Sequence, residues 1–351
     1  MNEVVHLVRK NIIELMPYSS ARHEFTGNAS VFLDANENSF GSPSDEGLNR
    51  YPDPLQIELK QALSVIKGVL PENMFIGNGS DEVIDLAYRI FCEPGKDNVI
   101  VCPPTYGMYE VSAHINNVCV KKVNLLPSFQ LDIDGIMSVT DMNTKLLFIC
   151  SPNNPTGNNM RRHDIEWLLN NFPGIVVIDE AYINYSRNKT FIQELTEYPN
   201  LIIMQTLSKA WGMAGLRLGL CFASAYVISI FNKVKPPYNV NTSSQKLAIE
   251  ALQKTSQVNG WIKQIVEERL KLASMLQTFT CTETVYESDA NFILVKVKDA
   301  NSLYDHLLQH KIIVRNRSKD QGCANCLRFT IGTPEENILL INALKIYDTK
   351  Q

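Results

Sequence analysis

Five short apolar runs, each stopping at a polar segment, constrain this chain more than any other feature. Residues 74–76 stop at Gly77-Asn78-Gly79-Ser80-Asp81, and residues 98–102 stop at Pro103-Pro104-Thr105-Tyr106. Residues 146–150 stop at Ser151-Pro152-Asn153-Asn154-Pro155-Thr156-Gly157, residues 175–178 at Asp179-Glu180-Ala181-Tyr182, and residues 201–205 at Thr206-Leu207-Ser208-Lys209. A sixth apolar run covers 218–222. Helical patterns with acidic first turns, such as 81–91 and 164–170, lie between the runs. Short apolar strands separated by helices predict an α/β fold with a mostly parallel sheet, covered by helices on both faces. Such sheets bind ligands outside the carboxyl ends of their strands, so the five polar segments should converge on one site.

With 351 residues, the chain is too long for one small core, and a large domain plus a smaller one is expected. The texture changes after about residue 241. Two helical stretches follow Asn239, and in the second Ile262, Ile265, Val266 and Leu270 recur at helical spacing. Beyond them, 292–297 and 327–331 read as strands of a second sheet. The expected division is an N-terminal arm over 1–40 packing on the small domain, a large domain over 41–245, and a small α+β domain over 246–351.

Composition excludes several classes. A hydrophobic share of 45% with 20% charged residues is that of a soluble globular protein, and a net charge of -4 gives no reason to expect nucleic-acid binding. No apolar run approaches the roughly 20 residues of a membrane span. The first residues lack the order of a secretory signal, so a cytoplasmic location is expected. Of eight cysteines, six are isolated and expected to be buried free thiols. Cys323 and Cys326 form a C-x-x-C without a second pair or histidines at ligand spacing, which reads as a polar loop with free thiols and no metal site. The six histidines show no ligand spacing either.

Taken singly, the polar segments have ordinary explanations. Gly-Asn-Gly-Ser is a turn with a helix cap, Asp after a strand is a cap, and a lone Lys is solvated. Their shared placement argues for chemistry. Lys209 after an apolar strand is partly desolvated, which favours the free amine that condenses with an aldehyde. Asp179 at a neighbouring strand end can keep a pyridine nitrogen protonated, making the ring an electron sink. Gly79 and Ser80 at a helix start suit a phosphate, as does Arg217, and Tyr106 can stack on a ring. These are the parts of a pyridoxal 5′-phosphate site.

Four motifs in order carry a resemblance: 77–82, 104–109, 151–157 with 179–182, and 208–219. Together they are similar to the aspartate-aminotransferase-like, fold type I family of enzymes dependent on pyridoxal 5′-phosphate. Segments 16–22, 33–38, 50–54, 236–241, 313–315 and 327–328 make the histidinol-phosphate aminotransferase branch the one the chain most resembles, over about residues 17–345.

The resemblance implies roles by position. Lys209 would carry the cofactor as a Schiff base and shuttle protons; Asp179 would pair with the ring nitrogen; Tyr182 and Asn154 would bond its phenolic oxygen. Tyr106 would stack, and Gly79, Ser80, Asp81, Ser208 and Arg217 would hold the phosphate. Tyr51 would reach the cofactor of a neighbouring subunit, implying a homodimer. Arg328 would clamp the donor's carboxylate, and Tyr18, Arg22, Asn36 and Arg315 would face the substrate. The implied reaction passes the amine of glutamate to imidazole-acetol phosphate, a step of histidine biosynthesis. Arg317 and Lys319 leave open which cation meets the substrate phosphate. An aromatic aminotransferase, a threonine-phosphate decarboxylase and a non-catalytic cofactor-binding protein are the alternative readings.

Overall fold

The computed structural model describes residues 4–18, 30–44 and 47–349. All six of these apolar runs are strands: β1 Met74–Asn78, β2 Asn98–Val101, β4 Thr144–Cys150, β5 Ile175–Asp179, β6 Leu201–Thr206 and β7 Leu218–Ala223. The sheet gains β3, Cys119–Lys122, at one edge, in the order β1-β7-β6-β5-β4-β2-β3. β4, β5, β6 and β7 are buried almost throughout because helices cover both faces, which is why they read as continuous apolar runs rather than alternating ones.

One strand departs from the parallel arrangement, and the site depends on it. β7 runs antiparallel to both β1 and β6. It therefore enters the sheet at the edge where β1 and β6 leave it. Residues just before β7 thus meet those just after β1 and β6, which brings Arg217, Gly79 and Ser208 to one place.

Around the strands, Ser80–Phe91 has seven buried residues on one side, and Ile57–Lys67 buries Leu59 and Leu63 against Met74 and Ile76. The long helix Thr255–Leu276 leads to the second sheet, ordered β10-β11-β9-β8 and wholly antiparallel: β8 Thr282–Val285, β9 Phe292–Val297, β10 Arg315–Asn316 and β11 Cys326–Thr330. Helices Ala300–Gln309 and Pro334–Asp348 complete that core. The second helix starts with a full capping box, Thr333 and Glu336 satisfying each other's backbone N–H groups.

Three expectations need correction. The first part of the arm, residues 4–18, packs on the larger sheet's helices rather than on the smaller sheet. Val4, Leu7, Val8 and Ile12 join Tyr88, Phe91 and Phe231 on the helices of the seven-stranded sheet, and Arg9 pairs with Glu93 at 3.0 Å. Its apolar residues follow the larger greasy surface. In Thr255–Leu276, Ile262, Ile265 and Val266 touch a core, but Leu270 is 65% exposed. The helix buries a stripe narrower than the sequence spacing suggests. Among the cysteines, Cys119 is exposed on edge strand β3, while Cys323, in the loop before β11, and Cys326, at the start of β11, are free but fully buried.

Candidate active site

A cavity of about 930 Å³ opens along the carboxyl ends of the parallel strands. Its lining includes Gly79, Ser80, Asp81, Tyr106, Asn154, Asp179, Tyr182, Ser208, Lys209 and Arg217, and from the smaller sheet Arg315 and Arg328. Segments spread over 250 residues of sequence thus meet, because consecutive strand ends lie side by side.

Backbone fit builds one corner. Gly79, at φ +76°, is the residue before the Ser80–Phe91 helix, and its N–H donates to the Arg217 carbonyl at 2.7 Å. A Cβ there would lie 2.8 Å from an Arg217 guanidinium nitrogen. A Cβ on Gly219 would come within 2.2–2.5 Å of the Gly79 and Ser80 backbone. No side chain caps this helix, so its first N–H groups face the cavity with the positive end of the helix. Arg217, itself left-handed at φ 56°, lies 3.5 Å from Asp81, and the Tyr106 hydroxyl donates to Asp81 at 3.1 Å. An uncapped helix start, glycines where a Cβ would intrude, and a guanidinium beside them form a cradle suited to a phosphate.

On the cavity floor, β5 ends in Asp179, 4% exposed. One carboxylate oxygen accepts from the Tyr109 hydroxyl at 2.7 Å, and the other from the Ala181 N–H at 3.0 Å. Burial pushes the Asp179 carboxyl above its usual range, opposed by those two bonds and by the Lys209 charge. A protonated ring nitrogen opposite would supply the missing counter-charge. Lys209 reaches into the open cavity, yet surrounding protein lowers its pKa by desolvation, helped by the Arg328 charge. Its Nζ lies 5.7 Å from the centre of the Tyr182 ring. A lysine biased toward its free amine, a buried carboxylate and a phosphate cradle fit pyridoxal 5′-phosphate.

The opposite wall is cationic. Register places Arg315 directly across from Arg328 in the β10–β11 pair, so both side chains leave the same face of the sheet. Arg328 donates to the Asn154 side-chain oxygen, while the Asn154 amide donates to the Tyr182 hydroxyl at 3.4 Å. The Arg328 Nε is buried with no hydrogen-bond partner among the described residues. Like charges facing each other across a strand pair disfavour the sheet unless an anion sits between them. Arg317 also lines the cavity but is held by Asp320 at 2.5 Å, whereas Arg315 makes no ion pair with a described residue.

Not every predicted residue reaches the cavity. Tyr18, 75% exposed, and Asn36, left-handed at φ 55°, do not line it. Tyr51 stacks on Tyr238 at 4.4 Å, half exposed and outside the cavity. Arg22 lies outside the described residues. Sequence reading missed Tyr109, whose signal was its place three residues after Tyr106, on the same face of a helical turn. Among the described residues no group of three metal-binding side chains occurs, and no helix is long and apolar enough to cross a membrane.

Comparison with known proteins agrees with this geometry. The family model described as aminotransferase class I and II matches residues 29–344. The histidinol-phosphate aminotransferase of Parabacteroides distasonis is 52% identical over 98% of this chain and 99% of its own length. That of Bacteroides thetaiotaomicron is 52% identical over 99% of each. Among solved structures, the Sinorhizobium meliloti histidinol-phosphate aminotransferase in complex with pyridoxal-5′-phosphate superimposes with a TM-score of 0.79 at 24% identity, covering 90% of both chains. A Porphyromonas gingivalis L-threonine-O-3-phosphate decarboxylase superimposes at 0.73 and 22% identity, covering 87% of this chain and 92% of its own, so the fold alone does not select the reaction. The family model over most of the chain, with relatives about half identical over nearly its full length, shows that the chain belongs to the class I and II aminotransferase family.

Proposed function

We propose that this aminotransferase moves the amino group of glutamate to imidazole-acetol phosphate, giving 2-oxoglutarate and histidinol phosphate in histidine biosynthesis. The observation that carries the reading is the pairing of Arg315 with Arg328 opposite Lys209 and Asp179, in one cavity. Two substrates must use that wall in turn, one a dicarboxylate and the other an amino alcohol phosphate. Two adjacent guanidiniums can meet either anion.

Pyridoxal 5′-phosphate, held by these residues, would supply the electron sink for amine transfer. The chain's residues do the rest. Gly79, Ser80 and Asp81 N–H groups, the Ser208 hydroxyl and Arg217 hold the phosphate. Asp179 holds the ring-nitrogen proton, Tyr106 covers one face, and Asn154 and Tyr182 bond the phenolic oxygen. Lys209 Nζ anchors the cofactor and moves the proton at the substrate carbon. Arg328 binds the donor carboxylate through the guanidinium edge that Asn154 leaves free. Arg315, not engaged by Asp320, receives the substrate phosphate, and Arg317 stiffens the loop behind it. Tyr18, Arg22 and Asn36 keep the substrate-side role that the resemblance implies.

The active form is a homodimer. Exposed Val31, Leu33 and Phe40 on the described 30–44 segment, and Tyr51 outside its own cavity, suit cover by a second copy whose cofactor phosphate Tyr51 reaches. The functional division is a large domain over 41–245 and a small one over 246–351, and the enzyme works in the cytoplasm.

The test is the visible spectrum of purified enzyme loaded with cofactor and mixed with histidinol phosphate, with no keto acid. Loss of the lysine-bound cofactor band in a single turnover, without carbon dioxide release, is the expected result. A band discharged only by an aromatic amino acid would discard the substrate. Carbon dioxide release from threonine phosphate would point to a decarboxylase, and a band that no amine discharges would make the protein a binder.

A further inference from the structure

Asp179 is not held in place by its own strand alone. Among the described residues, the Tyr109 hydroxyl is its one side-chain hydrogen-bond donor, at 2.7 Å. We propose that Tyr109 is a positioning residue that keeps the Asp179 carboxylate ionised and aimed at the ring nitrogen of the cofactor. This rests on the reading of Asp179 given above and deepens it.

Packing is what makes the Tyr109 hydroxyl precise enough for that task. The phenol is completely buried, although Tyr106, three residues earlier, borders the open cavity. Its ring stacks on Phe148 of β4 at 4.8 Å and 13°, and Phe148 stacks in turn on Tyr88. Tyr106 meets its edge at 5.6 Å, and the Tyr88 hydroxyl donates to the Tyr109 carbonyl at 2.7 Å. β4 and β5 are in register with Cys150 opposite Asp179, so the phenol lies over the pair. With ring and backbone both clamped, the hydroxyl has one place to donate.

Electrostatics fixes the direction of its effect. The titratable groups that act on Asp179 are Tyr109, Lys209 and Asp81, with Cys150, Tyr106 and Tyr182 beside it. Burial and the neighbouring carboxylate push the Tyr109 phenol well up, so it stays a neutral donor across the working pH range. The thiol of Cys150 is pushed up too and carries no charge. Lys209 ceases to be a free ammonium when it takes up the cofactor. Tyr109 and the Ala181 N–H then remain to stabilise the negative form. Without the phenol, the proton shared with the ring nitrogen moves toward Asp179. The ring withdraws fewer electrons, and the nitrogen joining Lys209 to the cofactor becomes more basic.

The experiment is a pH titration of the visible band of the loaded enzyme, with cofactor dissociation measured separately. Tyr109→Phe keeps the stacked ring and removes the hydroxyl. Its midpoint should rise by about one pH unit, the scale of a hydrogen bond to a charged group, and cofactor affinity should fall about tenfold. Tyr88→Phe removes the donor to the Tyr109 carbonyl but leaves the Tyr109 hydroxyl in place, so its midpoint should move much less than that of Tyr109→Phe. In an Asp179→Asn background, Tyr109→Phe should add almost no further shift. If Asp179→Asn moves the midpoint but Tyr109→Phe does not, the positioning role is wrong and Asp179 keeps its own. If Asp179→Asn itself leaves the midpoint unmoved, the reading of Asp179 fails first. Equal shifts in Tyr88→Phe and Tyr109→Phe would reduce the effect to general packing and overturn the proposal.

Discussion

The two walls of the cavity are built by opposite methods. The wall proposed for the cofactor stands on strand ends of a buried sheet, and backbone fit sets its geometry: Gly79 and Gly219 leave no room for a Cβ, and Asp179 and Tyr109 are buried at the cavity floor. The wall proposed for the substrate stands on two-residue β10, the loop behind it and neighbouring β11, with Arg315 exposed and Arg328 partly buried. One wall has to hold a single molecule in one pose. In the proposed reaction the other has to receive two unlike anions in turn. A rigid wall is made by close packing and an adaptable one by long cationic side chains, whose flexible stems and charged ends move at little cost.

The largest effect should come from breaking the rigid wall. Gly219→Ala places a methyl 2.2–2.5 Å from the Gly79 and Ser80 backbone, where no flexible side chain can yield. The variant should lose about 3 kcal/mol of stability and bind cofactor at least a hundredfold more weakly, read by thermal unfolding and by cofactor titration. A variant with unchanged affinity would mean that the β1–β7 corner does not form the phosphate cradle.

The substrate wall should respond in a different currency. Arg328→Met should raise the KM for glutamate about a hundredfold, as expected for truncating a buried charged partner. Arg315→Ala should weaken histidinol phosphate about tenfold while leaving glutamate nearly untouched. Cofactor affinity should change less than threefold in both. Equal losses toward cofactor and substrate would erase the distinction between the walls, and steady-state kinetics with both substrates decides it.

The smallest effect concerns a charge that the rigid side tolerates. Lys60, on the helix packed against the β1–β7 end of the sheet, is 5% exposed, and burial pulls its pKa down to about 8 from 10.5 against the pull of Asp53. The unfolded chain keeps that proton over a range where the folded chain has released it. Stability should therefore rise between about pH 8 and pH 10.5, and below pH 8 the folded chain carries the full penalty. Lys60→Met should be more stable at pH 7 by about 1–3 kcal/mol. It should also show a shallower rise up to pH 10.5, shallower rather than flat because Lys67 and Lys235 are depressed in the same way. Thermal unfolding at pH 7 and 9.5 measures both. A less stable variant would mean that the Asp53 interaction outweighs desolvation.

Much of the cofactor wall was legible because its residues lie inside local motifs. Lys209, Asp179, Asn154, Tyr182 and Arg217 each follow or precede an apolar run, and strand ends of a parallel sheet share an edge. The place of Tyr109, three residues after Tyr106, is a local signal, but its partner Asp179 lies 70 residues away and no local pattern names it. Apolar residues such as Leu7 and Ile12 reveal that the start of the arm will be buried, not that the larger sheet's helices will cover it. Cys323 and Cys326 were read as loop residues from polar neighbours, although both fill the core under β11.

By itself, then, the sequence determined which segments are strands, which polar residues end them and what chemistry those residues favour. These are properties of neighbours along the chain, set by the spacing of apolar side chains and the conformational limits of glycine and proline. Only the tertiary structure decided that β7 runs backwards, that Arg315 faces Arg328, and that Tyr109 meets Asp179. Each is a choice of register or direction between segments far apart in sequence. Such choices are made by how buried surfaces fit together, and no single segment contains them.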